Sequence, residues 1–494
     1  MRDPGTHRLG RVLGQDEALT LCKHLLTMVR ASDSFGVWIE HTARAVTTLS
    51  QSRFRTWTVG DELAIWFDSR FGSGWPLRIA TNDLDPAKLQ HLVAQAIAML
   101  VGPGDRVNPD DPIYNILQPR TSMPVSLWHA TTARAMEAPA ADVLGEIVTQ
   151  VDAAHLHCSA TAVLESRALC YMYEPGLTAY VQETDSELTV TARSLDGTAT
   201  GWAGGASRDW ATMTSGSLTV HAIDWATRAQ RPSAMEPGRH TVILSATAVG
   251  QLVAEIAGAF SAGAVRMGRS PFSVKPNEDA GHHAWSKLGQ RVVDARLRMV
   301  SDPNDPFGGF PPFYEEAGSE TPGLPIPAVT WIEQGTLQNL AFSVGDIGRQ
   351  WSEIPFSARL EPVPSATTVT IEDMIADCAE GFYVNRFGPI RLIDAPSGTM
   401  SGVTRDGCFF IKDGKINRPV KNFWFLDSPL LAFNRLMHVG QAQRVALGIS
   451  QEFVQSAIYN NPPRGRYNRW PQLPIIAPPM MIRDWHFNAL TDAV

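Results

Sequence analysis

The sequence has no run of basic residues, no long uninterrupted apolar segment and no closely spaced pair of cysteines. Its formal net charge is −8 and its Lys and Arg residues are scattered, so it lacks the electrostatic footprint of a protein that grips a nucleic-acid backbone. Charged side chains interrupt the N-terminal stretch, where a signal peptide would need an apolar core. The most apolar window, residues 242–265, is broken by Gln251 and Glu255, which predicts a buried helix rather than a membrane span. We therefore expect a cytoplasmic protein that binds neither nucleic acid nor membrane.

The chain has five cysteines, which are unevenly spaced and form no Cys-x-x-Cys pair. This pattern indicates neither a disulfide framework nor a zinc knuckle, and it predicts free, mostly buried thiols. The composition, 44% hydrophobic and 19% charged, is typical of an ordinary globular protein. With 494 residues the chain is long enough for two or three structural units.

Several catalytic motifs are missing. The chain has no His-Glu-x-x-His helix, no phosphate-binding glycine loop and no Gly-x-Ser-x-Gly elbow. The densest histidine group is His282 and His283 in NEDAGHHAW, which predicts a solvated polar turn more readily than a metal site. The carboxylates in SDPNDPFGGFPPFYEEAG include Asp302 and Asp305, and the Pro and Gly density there predicts a structured loop.

The order of the elements predicts an α+β fold in which N-terminal α/β units, antiparallel strands with packed helices, precede a strand-rich C-terminal domain. In the first unit, residues 1–104, an amphipathic helix at 16–30 precedes two strands joined at Gly60-Asp61. A second helix follows, with Asp85 as its N-cap and Pro86 in its first turn.

The middle unit, residues 105–235, begins with a Pro-rich stretch up to residue 140 that predicts an extended connection. A helix at 141–153 comes next. Short strands are predicted from 157 to 230, with a hairpin turn at Asp196-Gly197.

The C-terminal domain, residues 236–494, opens with the strand RHTVILS, which feeds directly into a helix beginning SATAVGQ. We predict hairpins in TWIEQGTLQNLAFS and at Asp413-Gly414, a helix capped by Thr370 and ended by Gly381, and a short helix in PLLAFNRLMHVG. The segment from residue 461 onward is rich in Pro, which predicts extended chain on the surface of the protein, with an edge strand in APPMMIRDWHF.

Together these segments resemble the TldD/PmbA family, in which one branch comprises zinc metalloproteases and the TldE/PmbA-type branch lacks the zinc site. The resemblance rests on EPGRHTVILSATAVGQLV, LRMVSDPNDPFGGFPPFYEEAG, VTWIEQGTLQNLAFS, IEDMIADCAEGFYV and SGTMSGVTRDGCFFIKDGKI, together with weaker likeness in the N-terminal and middle units. Their order and spacing carry the resemblance, since no single string is diagnostic.

In the catalytic branch the helix begins His-Glu-Ala-Val-Gly-His. The resemblance places Ala246 at the first zinc ligand, Thr247 at the general base and Gln251 at the second ligand. Counting back from the Asp-Gly-Lys turn places Arg405 at the third ligand, a cysteine in the catalytic branch, while Cys408 would occupy it only in a shifted register. None of the four replacements supplies a good ligand or base, so the resemblance implies a chain with no catalytic residue and no metal of its own.

The resemblance implies an accessory, non-catalytic subunit of a TldD/TldE-type metalloprotease that cleaves small or unfolded peptides, including leader peptides of natural-product precursors. Zinc would be supplied by a TldD-type paralogue in a heterodimer, and Arg405 would anchor a peptide carboxylate unless it is simply an exposed hairpin arginine. One alternative is a homo-oligomeric peptide-binding protein without cleavage. Another is an active hydrolase whose site is rebuilt from His282 and His283, or from Cys408 with His438.

Overall fold

The computed structural model describes residues 10–29, 34–69, 77–81, 85–100, 125–138, 140–173, 177–274, 285–313, 326–342, 357–448 and 474–491. It confirms the predicted α+β architecture: the described strands form three sheets, and helices pack on them. Among these residues, no helix has the length and apolar character needed to cross a membrane.

The helices are α1 (Gln15–Val29), α2 (Pro86–Leu100), α3 (Ala130–Ala135), α4 (Ala141–Ala153), α5 (Ser215–Arg228), α6 (Ala246–Ile256), α7 (Ala262–Arg266), α8 (Ile371–Asp377) and α9 (Pro429–Phe433). The strands of the first sheet are β1 (Ser34–Ser50), β2 (Arg53–Ser69), β3 (Leu77–Thr81), β4 (Leu156–Tyr173), β5 (Leu177–Ser194) and β6 (Thr200–Ser207). Those that follow are β7 (Gly238–Leu244), β8 (Leu297–Ser301), β9 (Val329–Glu333), β10 (Thr336–Leu337), β11 (Ala358–Pro362), β12 (Glu380–Phe387), β13 (Arg391–Asp394), β14 (Thr399–Lys412), β15 (Lys415–Pro419), β16 (Phe423–Asp427), β17 (Leu436–Val439), β18 (Gln443–Arg444), β19 (Ile475–Ala477) and β20 (Met480–Leu490).

The first sheet is antiparallel, in the order β3-β2-β1-β4-β5-β6. It therefore combines strands predicted for the first unit with strands predicted for the middle unit, while the division of the chain into three domains stays a prediction. The turn predicted at Gly60-Asp61 is wrong, because both residues lie inside β2 opposite β1. The chain turns instead at Gln51 and Ser52, whose φ angles of 51° and 55° suit a two-residue hairpin turn.

Helices cover one face of this sheet, and the C-terminal strands and loops cover the other. The predicted helices α1, α2 and α4 are confirmed, and Asp85 caps α2 by accepting hydrogen bonds from the N–H groups of Ala87 and Lys88 at 3.0 and 3.1 Å. The extended connection predicted up to residue 140 instead contains α3, and α5 occupies the end of the stretch predicted as strands. The buried stripe of α5 consists of small residues, which give a weak apolar pattern but let the helix lie close to β6.

The C-terminal part contains two sheets. One has the order β10-β9-β8-β11-β19-β18, and in the other the pairs β12-β7-β20-β16-β14 are closed into a ring by the pairing of β12 with β14. Helix α6 contacts β7 and β12 of the ring and β11 and β19 of the other sheet. One large apolar core surrounds this helix and is shared by both sheets. The ring and its neighbouring sheet therefore hold α6 rigidly from both sides.

Three C-terminal predictions were wrong in detail. Strand β20 is not an edge strand, since it lies between β7 and β16 with Ile482, Trp485 and Phe487 buried. Helix α8 ends at Asp377, and Gly381 lies in β12, where a Cβ would approach a β7 carbonyl oxygen to 2.6 Å. The helix predicted in PLLAFNRLMHVG stops after α9, and the chain continues into β17. The hairpins at 329–337 and at Asp413-Gly414 are confirmed.

Candidate functional site

The first turn of α6 is fixed by Ser245, which directly follows β7. The Ser245 hydroxyl accepts a hydrogen bond from the N–H of Ala248 at 3.1 Å and donates one to the main-chain carbonyl of Asn385 in β12. This N-cap satisfies one of the free N–H groups that every helix start exposes. Ala246 is buried and Thr247 is half-buried, so the helix presents two small side chains at its start.

Gln251, one turn further along α6, is buried, and both ends of its amide are engaged by the main chain of Phe387 in β12. Its Nε2 donates to the carbonyl oxygen of Phe387 at 2.9 Å, and its Oε1 accepts from the N–H of Phe387 at 2.8 Å. Both ends of the amide are therefore used to join α6 to β12. Because both hydrogen bonds orient the amide toward the β12 backbone, the side chain is not free to turn toward a metal ion.

A cleft of about 960 Å³ opens beside this first turn. The cleft runs between the N-terminal sheet and the C-terminal part, and its walls come from β6, α5, α6, α8, β12, β15 and β18. Its lining includes Trp202, Gly204, Gly205, Arg208, Asp209, His221, Trp225, Ser245, Ala246, Thr247, Phe307, Ile371, Ile375, Tyr383, Asn385, Ile416 and Arg444. Its size lies in the range of pockets that hold small ligands or short peptide segments.

One wall of the cleft is apolar. The ring of Trp225 stacks on that of buried Tyr383, with centroids 4.7 Å apart, and burial raises the pKa of the Tyr383 hydroxyl. The half-buried side chains of Ile371, Ile375 and Ile416 extend this wall. The wall offers a surface for apolar groups rather than for ions.

Another part of the lining is the strand β6, which ends the first sheet. In the described part of the chain β6 pairs only with β5. An edge strand of this kind carries main-chain donors and acceptors that can pair with an extended segment of another chain. Gly204 and Gly205 carry no side chains, and the Trp202 ring packs over Gly204 while Met213 packs over Gly205.

Arg405 does not line the cleft. It is half-buried in β14, opposite Arg386 of β12, next to a bulge at which Asp406 and Gly407 have φ angles of 52° and 123°. The neighbouring Arg386, which the sequence did not single out, pairs with Asp406 and stacks over the Trp202 ring at 4.8 Å. This contact joins the C-terminal ring to β6 at the edge of the cleft.

The remaining candidates are not brought together. Cys408 faces the apolar core, and burial raises the pKa of its thiol to about 12, so the thiol is protonated at neutral pH. His438 lies in β17, a strand that is not a neighbour of β14, and its Nε2 is 2.6 Å from Oδ2 of Asp377. His282 and His283 lie outside the described residues.

The most informative cleft residues, Trp225, Tyr383, Asn385 and Arg444, were not found from the sequence. They come from three separate elements, α5, β12 and β18, and none belongs to a local motif. Only the helix start around Ser245 carried a sequence signal, the change from a β-strand pattern to a helical one.

Comparison with known proteins identifies the family. Residues 237–488 match the family model described as the PmbA/TldA metallopeptidase C-terminal domain. This match spans half of the chain, and the chain therefore belongs to the TldD/PmbA family. No curated protein sequence matches it.

Solved structures of low sequence identity share the fold. A Thermotoga maritima protein described as a candidate modulator of a DNA gyrase is 13% identical, with a TM-score of 0.67 over 94% of this chain and 98% of that one. A similarly described protein from Bacteroides thetaiotaomicron is 14% identical, with a TM-score of 0.66 over 96% and 100% of the two chains. TldE from Thermococcus kodakarensis is 14% identical, with a TM-score of 0.66 over 95% and 99%.

The family description implies a metal, and the residues at the start of α6 do not fit zinc. Ala246 has no donor atom, Thr247 offers only a neutral hydroxyl, and both ends of the Gln251 amide are bound to Phe387. Arg405 is a cation. Across the described ranges, no three His, Cys, Asp or Glu residues cluster closely enough to hold a metal ion. Zinc sites in proteins use imidazole, thiolate and carboxylate ligands, which this donor set lacks.

Proposed function

We propose that this chain is a non-catalytic, TldE-like subunit of a TldD/TldE-type peptidase and that it holds an extended peptide in the cleft beside β6. The single observation that carries the proposal is the position of the cleft. It joins β6, which among the described strands pairs only with β5, to the helix start at which, by resemblance, the catalytic branch carries its zinc ligands. Zinc would be supplied by a TldD-type paralogue.

The geometry favours a peptide as the occupant. Main-chain groups of β6 would pair with the peptide backbone, a mode of binding that tolerates many side chains. The apolar wall around Trp225 would bury one or two apolar side chains of the peptide. Small residues at positions 246 and 247 leave this end of the cleft open. The substrates are therefore expected to be unfolded or short peptides, such as leader segments.

A blocking variant tests the site. Thr247→Trp places a large ring in the cleft, and we expect it to weaken binding of a fluorescein-labelled, unstructured peptide at least about tenfold, or about 1.4 kcal/mol. Thr227→Trp, an exposed change on α5 at a residue that does not line the cleft, is the matched control and should bind as the wild type does. Fluorescence anisotropy measures both. Equal binding by wild type and Thr247→Trp would remove the cleft from consideration.

The same preparation distinguishes the alternatives. Size-exclusion chromatography with multi-angle light scattering reports whether the chain self-associates or forms a complex with a TldD-type paralogue. Self-association with peptide binding, and no complex with the paralogue, would favour the homo-oligomeric peptide-binding protein. Peptide cleavage by the isolated chain would contradict the accessory role and favour a rebuilt active site.

A further inference from the structure

A stripe of charged side chains crosses the first sheet on the face turned toward the C-terminal part. Glu183, Asp185 and Glu187 alternate along β5, and Arg167 and Glu165 lie opposite Glu183 and Asp185 on β4. All are buried or nearly so. Charged groups buried between two parts of a protein are costly unless each one is paired, so every contact in this stripe affects how the parts hold together.

The contacts of the stripe reach the segment 443–448, which contains β18. Arg444 donates through Nη2 to both carboxylate oxygens of Asp185, at 2.6 and 2.5 Å. Glu187 accepts hydrogen bonds from the N–H groups of Leu447 and Gly448, at 3.4 and 3.1 Å. These contacts attach the segment to β5. Because Gln443 and Arg444 line the cleft, the attachment also sets the position of one end of the cleft.

The surroundings of Glu187 favour its neutral form. Burial raises its pKa to about 7, the two N–H groups lower it, nearby Asp185 raises it, and Arg444 lowers it again. Arg444 is already engaged by Asp185, and Arg208 is engaged by Glu183 and by main-chain carbonyls. The residues directly opposite Glu187 on β4 and β6 are Val163 and Ala206, which carry no charge.

We propose that Glu187 makes the attachment of the segment 443–448 to the first sheet responsive to pH, so that proton uptake by this buried carboxyl group strengthens it and proton loss weakens it. In the attached state the carboxyl group is buried, and the neighbouring Arg444 and Arg208 are engaged by other carboxylates. In the detached state it would meet water. A proton therefore binds more tightly to the attached state, and attachment and proton uptake favour each other.

The expected magnitude follows from the difference in pKa. With a pKa of about 7 when attached and the ordinary value of 4.5 when exposed, the attachment equilibrium falls about tenfold between pH 6 and pH 8. The upper limit of the effect at high pH is about 300-fold. The end of the cleft at Arg444 would open as the pH rises, and this proposal stands independently of whether a peptide is the ligand.

Amide hydrogen exchange of the full chain tests the proposal. The readout is the protection of the amides in 443–448 between pH 6 and pH 8, corrected for intrinsic exchange with an unfolded peptide of the same sequence. The wild type should lose protection about tenfold, whereas Glu187→Gln, which carries no titratable group, should show no such loss. Glu146→Gln, the same change at an exposed position of α4, should behave as the wild type does.

Either of two results would overturn the proposal: constant protection in the wild type, or an equal pH-dependent loss in Glu187→Gln. If Glu187→Gln does not fold by circular dichroism, Asp185→Asn provides the second test. Removing that negative charge and releasing Arg444 both lower the pKa of Glu187, so the loss of protection should level off at a lower pH and be smaller between pH 6 and pH 8 than in the wild type. An unchanged pH dependence in Asp185→Asn would count against the proposal.

Discussion

Replacing Gln251 with alanine tests whether this residue acts as a structural joint between α6 and β12. The substitution removes the two hydrogen bonds, of 2.8 and 2.9 Å, that the amide makes to Phe387, and it leaves a buried N–H and a buried carbonyl without their partner. Each unsatisfied group costs about 1–3 kcal/mol. The lost side-chain methylene adds about 0.8 kcal/mol. We expect a total loss of about 3–7 kcal/mol in the free energy of unfolding.

Urea denaturation followed by circular dichroism measures this loss. Gln251→Met separates hydrogen bonding from packing, because methionine fills a similar volume but makes neither bond, and it should still lose at least about 2 kcal/mol. Gln150→Ala, at an exposed position of α4, is the matched control and should stay within about 0.5 kcal/mol of the wild type. If Gln251→Met were as stable as the wild type, the side chain would not be held by its amide, and the argument that it is unavailable to a metal would fail.

Two further predictions concern charge and thiol chemistry. Burial alone would raise the pKa of Asp305, but the hydrogen bonds from Arg359 and from two N–H groups outweigh burial and lower it. Its stabilisation is therefore present above the ordinary pKa of 3.8 and is lost as the pH falls through the lower folded-state value. Asp305→Asn should lower the free energy of unfolding by about 2–3 kcal/mol at pH 7. The difference in unfolding free energy between this variant and the wild type should vanish as denaturation is repeated at increasingly acidic pH. Burial of Cys408 in the apolar core raises the pKa of its thiol to about 12, so we expect the thiol to resist iodoacetamide at pH 7.5 in the native protein and to react after unfolding. Mass spectrometry measures the labelling. Rapid labelling of the native protein would contradict the burial of Cys408.

Much of the fold follows from local sequence signals. The caps at Asp85 and Thr370 and the turn at Asp413-Gly414 lie where their chemistry predicted them, because each depends only on residues within one turn of chain. The loop around Asp305 is also structured as predicted, though its ion pair with Arg359 of β11, more than fifty residues away, could not be read from the loop. Local patterns therefore specified elements but not their partners.

The errors have a common physical cause. Gly60 indicated a turn, yet it lies inside β2, and the actual turn at Gln51 and Ser52 lacks the usual glycine. Proline density near the C-terminus indicated surface chain, yet the alternating apolar residues of β20 fill a gap between two strands more than fifty residues away in sequence. In each case tertiary pairing overrode the local preference.

The site was predicted only in part. The sequence located the helix start at Ser245, whereas the assignment of the four substituted positions to a family pattern stays a prediction. The cleft could not be predicted, since its walls come from elements that meet only in the folded chain. For the same reason the burial of Glu187 beneath Gly448 left no trace in the sequence around either residue.

The central claim is that this chain contributes a peptide-binding cleft and depends on a partner for cleavage. The most direct test measures zinc content and peptidase activity on one sample, the chain purified alone without chelator or a histidine tag. Elemental mass spectrometry should find no stoichiometric zinc, and an unstructured peptide should be cleaved only after a TldD-type paralogue is added. One zinc per chain together with cleavage by the chain alone would contradict the account.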